Sequence, residues 1–567
     1  MATTDRTKQL MEMLSKFNAP VPVEINPCTI SKSKFVAGLQ CLKREFLQIY
    51  HPELAEETAT GIKEQGTLVG KAAQDAFPGG ALVSIPSYNG TFDKAVAETK
   101  RLMETPSVQV IFEGAFLADG VRVRVDVLIR NGDGWSLGSA AQGVGDNIVG
   151  EIVGEVKAST KVKEHHIWDA SLQAFVLRKC GVNVTDIVII HLNRKGSGTE
   201  ITGDVAAYVQ ASAYRGDGYK WDGMVNDDGT RKYNFAELFV TVPITPIPDN
   251  EIVEALNKQF RVLGQSESPD IACGSQCAKP YECEFAKHCH EGLSIDDLAY
   301  TPNVLGSTKW NQIDGLRRQG VVSICGIDSK KFPKTKDKIA RVQDALRSDS
   351  VVADPRKLAG WLSKLKRPIN FLDYETVAYA LPNIAGTKPW DAIPMQFSNH
   401  KLDAEGTFTH QEFLGEADGT DPRVPFIEAL LAAVGTEGTI VTYSKYEFSN
   451  VNEPLAKQYP QYAESLWALK ARAWDMCEVV KDAMYHPEFR GSFSIKTVLP
   501  ALVPDMSYEG LEISNGMDVL PAWDRLLNGN PSSKERLCIR KALLEYCSQD
   551  TWAMKRILDV LVELAGE

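Results

Sequence analysis

What the chain lacks narrows its function first. No apolar run in its 567 residues approaches the roughly 18 that a membrane-crossing helix needs, so no bilayer span is expected. The opening MATTDRTKQLMEMLSKF has neither the apolar core nor the small-residue cleavage site of a secretory leader, which predicts a cytoplasmic protein. Cysteine is sparse, 11 in all, too thin for a disulfide scaffold; in a reducing compartment a cluster of thiols points instead to metal. Positive charge is in deficit, since 62 Lys and Arg against 74 Asp and Glu leave a net charge of −12. That argues against a histone-like or tail-driven nucleic-acid binder, which needs clustered cations. It leaves room for an enzyme with a locally basic groove, because the field in a cleft can oppose the net charge. There is no G-x-x-x-x-G-K-S/T phosphate loop, so any motor activity must come from a partner. Internal repeats and low-complexity tracts are also missing.

What is present is ordinary globular composition, 44% hydrophobic and 24% charged. At about 150 residues per domain the length suggests three or four domains. Residues 1–295 mix helical patterns with β-rich runs such as VRVRVDVLI (121–129) and DIVIIHL (186–192), and end in a cysteine-dense stretch. Residues 296–365 are short helical pieces with Lys- and Arg-rich faces, as in TKDKIARVQDALRS. A second α/β pattern occupies 366–567, from INFLDYET through TIVTYS (439–444) to a C-terminal helix over roughly 535–565, whose apolar residues recur at helical spacing. The expectation is an α/β protein with two modules joined by a small helical connector.

Three constellations carry chemistry. In VRVRVDVLI the strict alternation puts Val121, Val123, Val125 and Val127 on one strand face and Asp126 on the other. After the Gly-rich insertion GSAAQGVGDNIVG, the run EIVGEVKAST places Glu155 and Lys157 two apart, projecting from one face. Carboxylates on neighbouring strands can hold Mg2+ beside an ammonium that steadies charge developing on a phosphate. On the spacing alone, an exposed strand of alternating charge is the plainer reading. The ordered set of Asp126, Glu-x-Lys and a following helix bearing Gln173 resembles the PD-(D/E)XK core of RecB-like nucleases. The opening TISKSKFVAGLQCLKREFL is similar to that family's N-terminal signature, with an early cysteine at Cys41. The resemblance implies metal binding by Asp126 and Glu155, assistance to the attacking water by Lys157, and a place for Gln173 close to the site. The family's further ligand on a helix has no His counterpart in GTLVGKAAQDAF; Glu113 either supplies that contact or faces solvent.

The second constellation is CGSQCAKPYECEFAKHC, where Cys273, Cys277, Cys283 and Cys289 are separated by three, five and five residues. A folded loop can converge such thiolates on a soft metal centre, zinc or iron–sulfur. RecB-like nucleases of the helicase–nuclease type bind a 4Fe–4S cluster through one early and three late cysteines. By that resemblance Cys41, Cys277, Cys283 and Cys289 are the ligands and Cys273 is spare; a local four-cysteine zinc site is the alternative.

The third begins at INFLDYET, where Asp373 and Glu375 share a strand face, and ends at LLEYCSQD, where Tyr546 and Asp550 share a helix face at i and i+4. Order and distance resemble the outer motifs of DEDD-type 3′–5′ exonucleases of the tyrosine subclass, an RNase H-like fold. There, carboxylates hold two metal ions (Mg2+ or Mn2+) and the Tyr positions the water. The family's middle Asp is replaced: TIVTYSKYEFSN offers Glu447, and ARAWDMCEVV offers Asp475, which reads more as a helix cap. Lys496 in SFSIKTVLPAL either touches a phosphate or is a surface lysine. Together the motifs look like a bacterial family of RecB-like and DEDD-like fusions. The resemblance implies a metal-dependent nuclease, DNA favoured and with single-stranded ends, in repair, mobile-element biology or phage defence. A catalytically weak nucleic-acid-binding scaffold working with a helicase-type partner is the alternative. The stretch 313–328, IDGLRRQGVVSICGID, is similar to a helix–hairpin unit and equally to a spacer.

Overall fold

The computed structural model describes residues 29–56, 60–86, 90–131, 150–194, 218–227, 229–305 and 310–566. The N-terminal stretch MATTDRTKQLMEMLSKF and nearly all of the Gly-rich insertion lie outside them. Strands β1 (Ile30–Ser31), β2 (Ala81–Leu82), β3 (Val110–Ala118), β4 (Val121–Asn131), β5 (Gly150–Lys157), β6 (Val184–Leu192) and β7 (Phe239–Pro243) form one mixed sheet in the order β2-β3-β4-β5-β6-β7, with β1 beside β4. The alternation of β4 holds only in part: Val121, Val123 and Val125 are buried in one core, but Val127, expected beside them, packs with Ile129 in the opposite core, because the β3–β4 pairing skips Glu113 and Asp126 and the period of two slips there. The β5–β6 pair is parallel, which requires a crossover. The helix Glu164–Lys179 supplies it and is buried from His166 to Leu177 except at Trp168. Of the polar residues inside that stretch, Asp169 and Gln173 are tolerable only with partners, and those partners define the first candidate site.

The second sheet follows a short ribbon partner, β8 (Val352–Ala353). It comprises β9 (Ile369–Val377), β10 (Ile393–Leu402), β11 (Phe408–Leu414), β12 (Thr439–Thr442) and β13 (Ala473–Asp475), in the order β11-β10-β9-β12-β13; β14 (Met484–Tyr485) pairs with β8. β9, β10 and β11 are an antiparallel meander, and β12 and β13 continue in parallel. One face packs on the helix Arg423–Val434. The other packs on the C-terminal helix Ser533–Ala565, in a core that runs from Leu298 to Leu561.

That core absorbs the segment 296–365. Ile313, Leu316, Ile324 and Ile327, all within the helix–hairpin-like stretch, are buried with Phe371 and Ile557. The backbones come close as well: Gly491, at φ +74°, lies where a Cβ would fall 1.6 Å from the Tyr300 carbonyl oxygen. The two sheets also meet directly. The β9–β10 connection, residues 378–392, closes over the N-terminal module: Trp390 Nε1 donates to the Ala158 carbonyl at 2.6 Å, the Ala380 amide to Gln65 Oε1 at 2.9 Å, and Tyr233 OH to the Pro382 carbonyl at 3.1 Å. Ala380 is part of the core on that face of the first sheet. Among the described residues no helix is long and apolar enough to cross a membrane.

Candidate functional site

At the first site β4, β5 and the crossover helix converge. Asp126 Oδ2 accepts the Val156 amide at 2.8 Å, fixing the carboxylate against the next strand. Glu155, 1% exposed, is a hub: its oxygens accept from Lys157 Nζ at 2.5 Å and from Gln173 Nε2 at 2.6 Å. Lys157 Nζ also reaches Asp169 Oδ2 at 2.6 Å, and Gln173 Nε2 lies 3.1 Å from Asp169 Oδ1. Burial works against the Lys157 ammonium, but Asp169 and Glu155 outweigh it and hold its pKa above the ordinary lysine range. A further residue enters from the chain start. Lys32, first in the helix Lys32–Gln40, places Nζ 3.3 Å from Asp126 Oδ1 and 3.2 and 3.0 Å from the two Glu155 oxygens.

The structure therefore brings Asp126, Glu155, Lys157 and Gln173 together and adds Asp169 and Lys32. Asp169 was legible as the residue one helical turn before Gln173; Lys32, in a serine- and lysine-rich start, had no spacing to single it out. Glu113 sits at φ +56° in β3, and its charge acts on Arg124.

The second candidate site is a cavity in the Cys loop, lined by Cys41, Cys273, Cys277, Cys283 and Cys289 with Arg44 and Phe285 among the walls. Cys273 is not set apart: its thiol hydrogen-bonds Cys277 and Cys289, and this, against burial, lowers both of their pKa values. Ligand atoms of Cys273, Cys277 and His290 lie within 4.8 Å of one another. His290 follows Cys289 directly, the one signal that could have found it. Burial pushes the Cys283 thiol up to about 11. The loop is tied to the chain start by Gln40 Nε2, which donates to the Gln276 and Tyr281 carbonyls at 2.6 and 2.8 Å, and by Arg44 with Glu284 at 2.8 Å. Tyr281 OH also meets His165 Nε2 at 2.6 Å, in the first turn of the helix that carries Asp169 and Gln173.

The third site lies where β9, the π-helical turn Glu447–Asn452 and the C-terminal helix meet. Glu447 and Asp550 are buried, and Asp373 and Glu375 half-buried beside them. Burial raises each pKa, Glu375 and Glu447 to about 8 and Asp550 to about 6; for Asp373 the charges of Asp550, Glu375 and Glu447 add to it. Glu447 Oε2 is buried with no hydrogen-bond partner. Four carboxylates packed so closely, one with an orphan oxygen, fit a divalent cation and are costly without one.

Tyr546 is buried against this group, and Tyr508 OH donates to Asp550 Oδ1. Lys496 Nζ stands 5.1 Å over the Tyr546 ring and 5.4 Å over that of Tyr508, so it is a rim residue of the site. Cys547 Sγ lies 3.7 Å from Asp373 Oδ2, and with Asp373 and Glu375 forms a second set of metal-competent ligand atoms. Asp475 accepts the Glu478 amide at 3.1 Å as a helix cap, while its charge contributes to raising Glu447. Tyr508 and Cys547 carried no pattern in the sequence.

The chain is thus a mixed α/β protein with an acid–lysine site, a thiol-lined cavity and a four-carboxylate cluster. The model of a domain of unknown function, DUF2779, matches residues 370–494, which include Asp373, Glu375, Glu447 and Asp475 but not Tyr546 or Asp550. No curated protein and no solved structure matches the chain.

Proposed function

We propose that the chain is a metal-dependent nuclease with two hydrolytic centres. One is a RecB-like PD-(D/E)XK centre at Asp126, Glu155, Lys157 and Gln173; the other is a DEDD-like, RNase H-like exonuclease centre at Asp373, Glu375, Glu447, Tyr546 and Asp550. The observation that carries the reading is the convergence of four carboxylates from three separate elements, Glu447 and Asp550 buried and Asp373 and Glu375 half-buried, with an unpartnered oxygen on Glu447. Mg2+ or Mn2+ held by Asp126 and Glu155, and by Asp373, Glu375 and Asp550, would supply Lewis acidity toward a phosphoryl oxygen.

The chain's own groups do the rest. Lys157 Nζ, locked between Glu155 and Asp169, orients the attacking water and steadies charge on the phosphate. Gln173 keeps Glu155 in place, and Tyr546 OH positions the water at the second centre. Each turnover consumes one water and breaks one P–O bond, leaving a phosphate monoester on one fragment and a hydroxyl on the other. The Cys cavity is a structural metal centre. A 4Fe–4S cluster on Cys41, Cys277, Cys283 and Cys289 is the reading the resemblance favours, and zinc, with Cys273 and His290 in reach, is its rival. DNA with a single-stranded end is the favoured substrate, in a cytoplasmic setting of repair or phage defence.

A second reading, a nucleic-acid-binding scaffold working with a helicase-type partner, is favoured by one observation: Lys32 already neutralises Asp126 and Glu155. End-labelled single-stranded DNA and RNA, incubated with Mg2+ or Mn2+, separate the two. The nuclease reading expects cleavage, with one product pattern lost in Lys157→Ala and a different one in Asp373→Ala. No cleavage by protein with its cysteine centre loaded supports the scaffold.

A further inference from the structure

Lys32 is placed by the cap and the strand that precede it. Ser31 caps the helix, its hydroxyl accepting the Lys34 amide at 3.4 Å, and Ser31 also pairs with Arg122 through β1 and β4. Its Nζ therefore sits between two carboxylates presented by neighbouring strands, within 3.3 Å of Asp126 and 3.0 Å of Glu155. Those two carboxylates are the pair assigned to a divalent cation, and one ammonium bridging them stands where such a cation would be held. Three carboxylates here, Asp126, Glu155 and Asp169, face two ammonium groups, Lys32 and Lys157. The cluster around Asp373 has four carboxylates, with Lys496 as the cation acting on Glu375 and Asp550. The two centres thus differ in how much added positive charge they call for. A lysine suits an exchangeable place, being a compact charge on a flexible stem.

We propose that Lys32 is the built-in cation of the first centre. It holds Asp126 and Glu155 together until a divalent cation displaces it, and its freed ammonium then binds a non-bridging oxygen of the substrate phosphodiester. The inference rests on the nuclease reading of this centre and adds a substrate-contacting residue to it.

The test uses the full chain carrying Asp373→Asn and Asp550→Asn, which silence the other acid cluster. Mn2+ is titrated and free Mn2+ followed by electron paramagnetic resonance, comparing Lys32 with Lys32→Met. Without the competing ammonium, Mn2+ should bind tighter by about tenfold or more. Anisotropy of a labelled single-stranded DNA, measured with Ca2+ to hold off cleavage, should show that Lys32→Met binds DNA about tenfold more weakly. Unchanged or weaker Mn2+ binding, or undiminished DNA binding, overturns the proposal. Lys32→Gln, neutral but still a donor, carries the same expectations should Lys32→Met fail to fold. Glu155→Gln keeps the two failures apart. Mn2+ binding that Glu155→Gln removes but Lys32→Met leaves unchanged sinks the role of Lys32 alone. If no variant shows Glu155-dependent Mn2+ binding, the nuclease reading of this centre falls and Lys32 with it.

Discussion

Glu45 lies on the helix Leu42–Tyr50 with both carboxylate oxygens buried and unpartnered. It fits only because Gly38 faces it; a Cβ there would come 2.2 Å from Glu45 Oε2. Burial lifts the Glu45 pKa from 4.5 to about 8. The folded chain therefore keeps a proton that the unfolded chain releases above 4.5, and stability contributed by this group falls as pH rises from 4.5 toward 8, by at most about 1.4 kcal/mol per pH unit. Glu45→Gln should flatten that part of the Tm-against-pH curve and raise Tm at pH 8; an unaltered slope would place the titration elsewhere. At the acid cluster, Tyr508→Phe removes a donor to Asp550. On the proposed nuclease reading it should weaken the apparent metal affinity of cleavage there by about 10- to 100-fold, read as the Mn2+ dependence of single-stranded DNA cleavage with Lys157→Ala in the background. At this scale the sequence was legible where chemistry repeats at a backbone period. Asp373 with Glu375, Glu155 with Lys157, and Tyr546 with Asp550 all follow from strand or helix spacing. Lys32, Tyr508 and His290 reach their sites through tertiary placement, which no local period encodes.

Elements show the same division. The C-terminal helix was plain, because its apolar residues recur with a period of about 3.6; the strand β4 was plain as a strand, but its period of two slips at Asp126, which sends Val127 to the opposite core. The crossover helix Glu164–Lys179 was read as the bearer of Gln173, but its near-complete burial leaves no polar stripe to mark which face meets the sheet. The segment 296–365 read as a connector because its helices are short and basic outside. Its apolar residues nonetheless complete the C-terminal core, as Ile313 and Ile324 do. Gly491 is where that packing is tightest. Gly491→Ala puts a methyl against the Tyr300 carbonyl at a left-handed φ, so it should destabilise the C-terminal module by about 2 kcal/mol or more. Denaturant unfolding followed through tryptophan fluorescence would measure it, and a shift of a few tenths of a kcal/mol would mean that Gly491 has room to move.

Across the whole molecule, the β9–β10 connection links the centres. It starts just beyond Glu375 and ends on Ala158, the neighbour of Lys157. Trp390→Phe keeps the ring and deletes the indole donor, leaving the Ala158 carbonyl without it, at a cost of about 1 kcal/mol. The expected outcome is faster proteolysis within 378–392 together with slower cleavage at the Lys157 centre; cleavage at wild-type rate would mean that the contact is mechanical only. No sequence pattern announced this contact, because a loop's partner depends on where two separate cores come to rest.

The Cys cavity has a consequence in time. Its walls include Cys41, near the start of the chain, and Cys289, about 250 residues later. At roughly 5–20 residues per second of synthesis, the first thiol emerges on the order of ten seconds or more before the last. For that interval Cys41 stands without the thiols that share its cavity. Closure of the cavity is therefore a late event in biosynthesis, one that cannot precede synthesis of about half of the chain, and the first helices wait on the ribosome for the loop that will hold them.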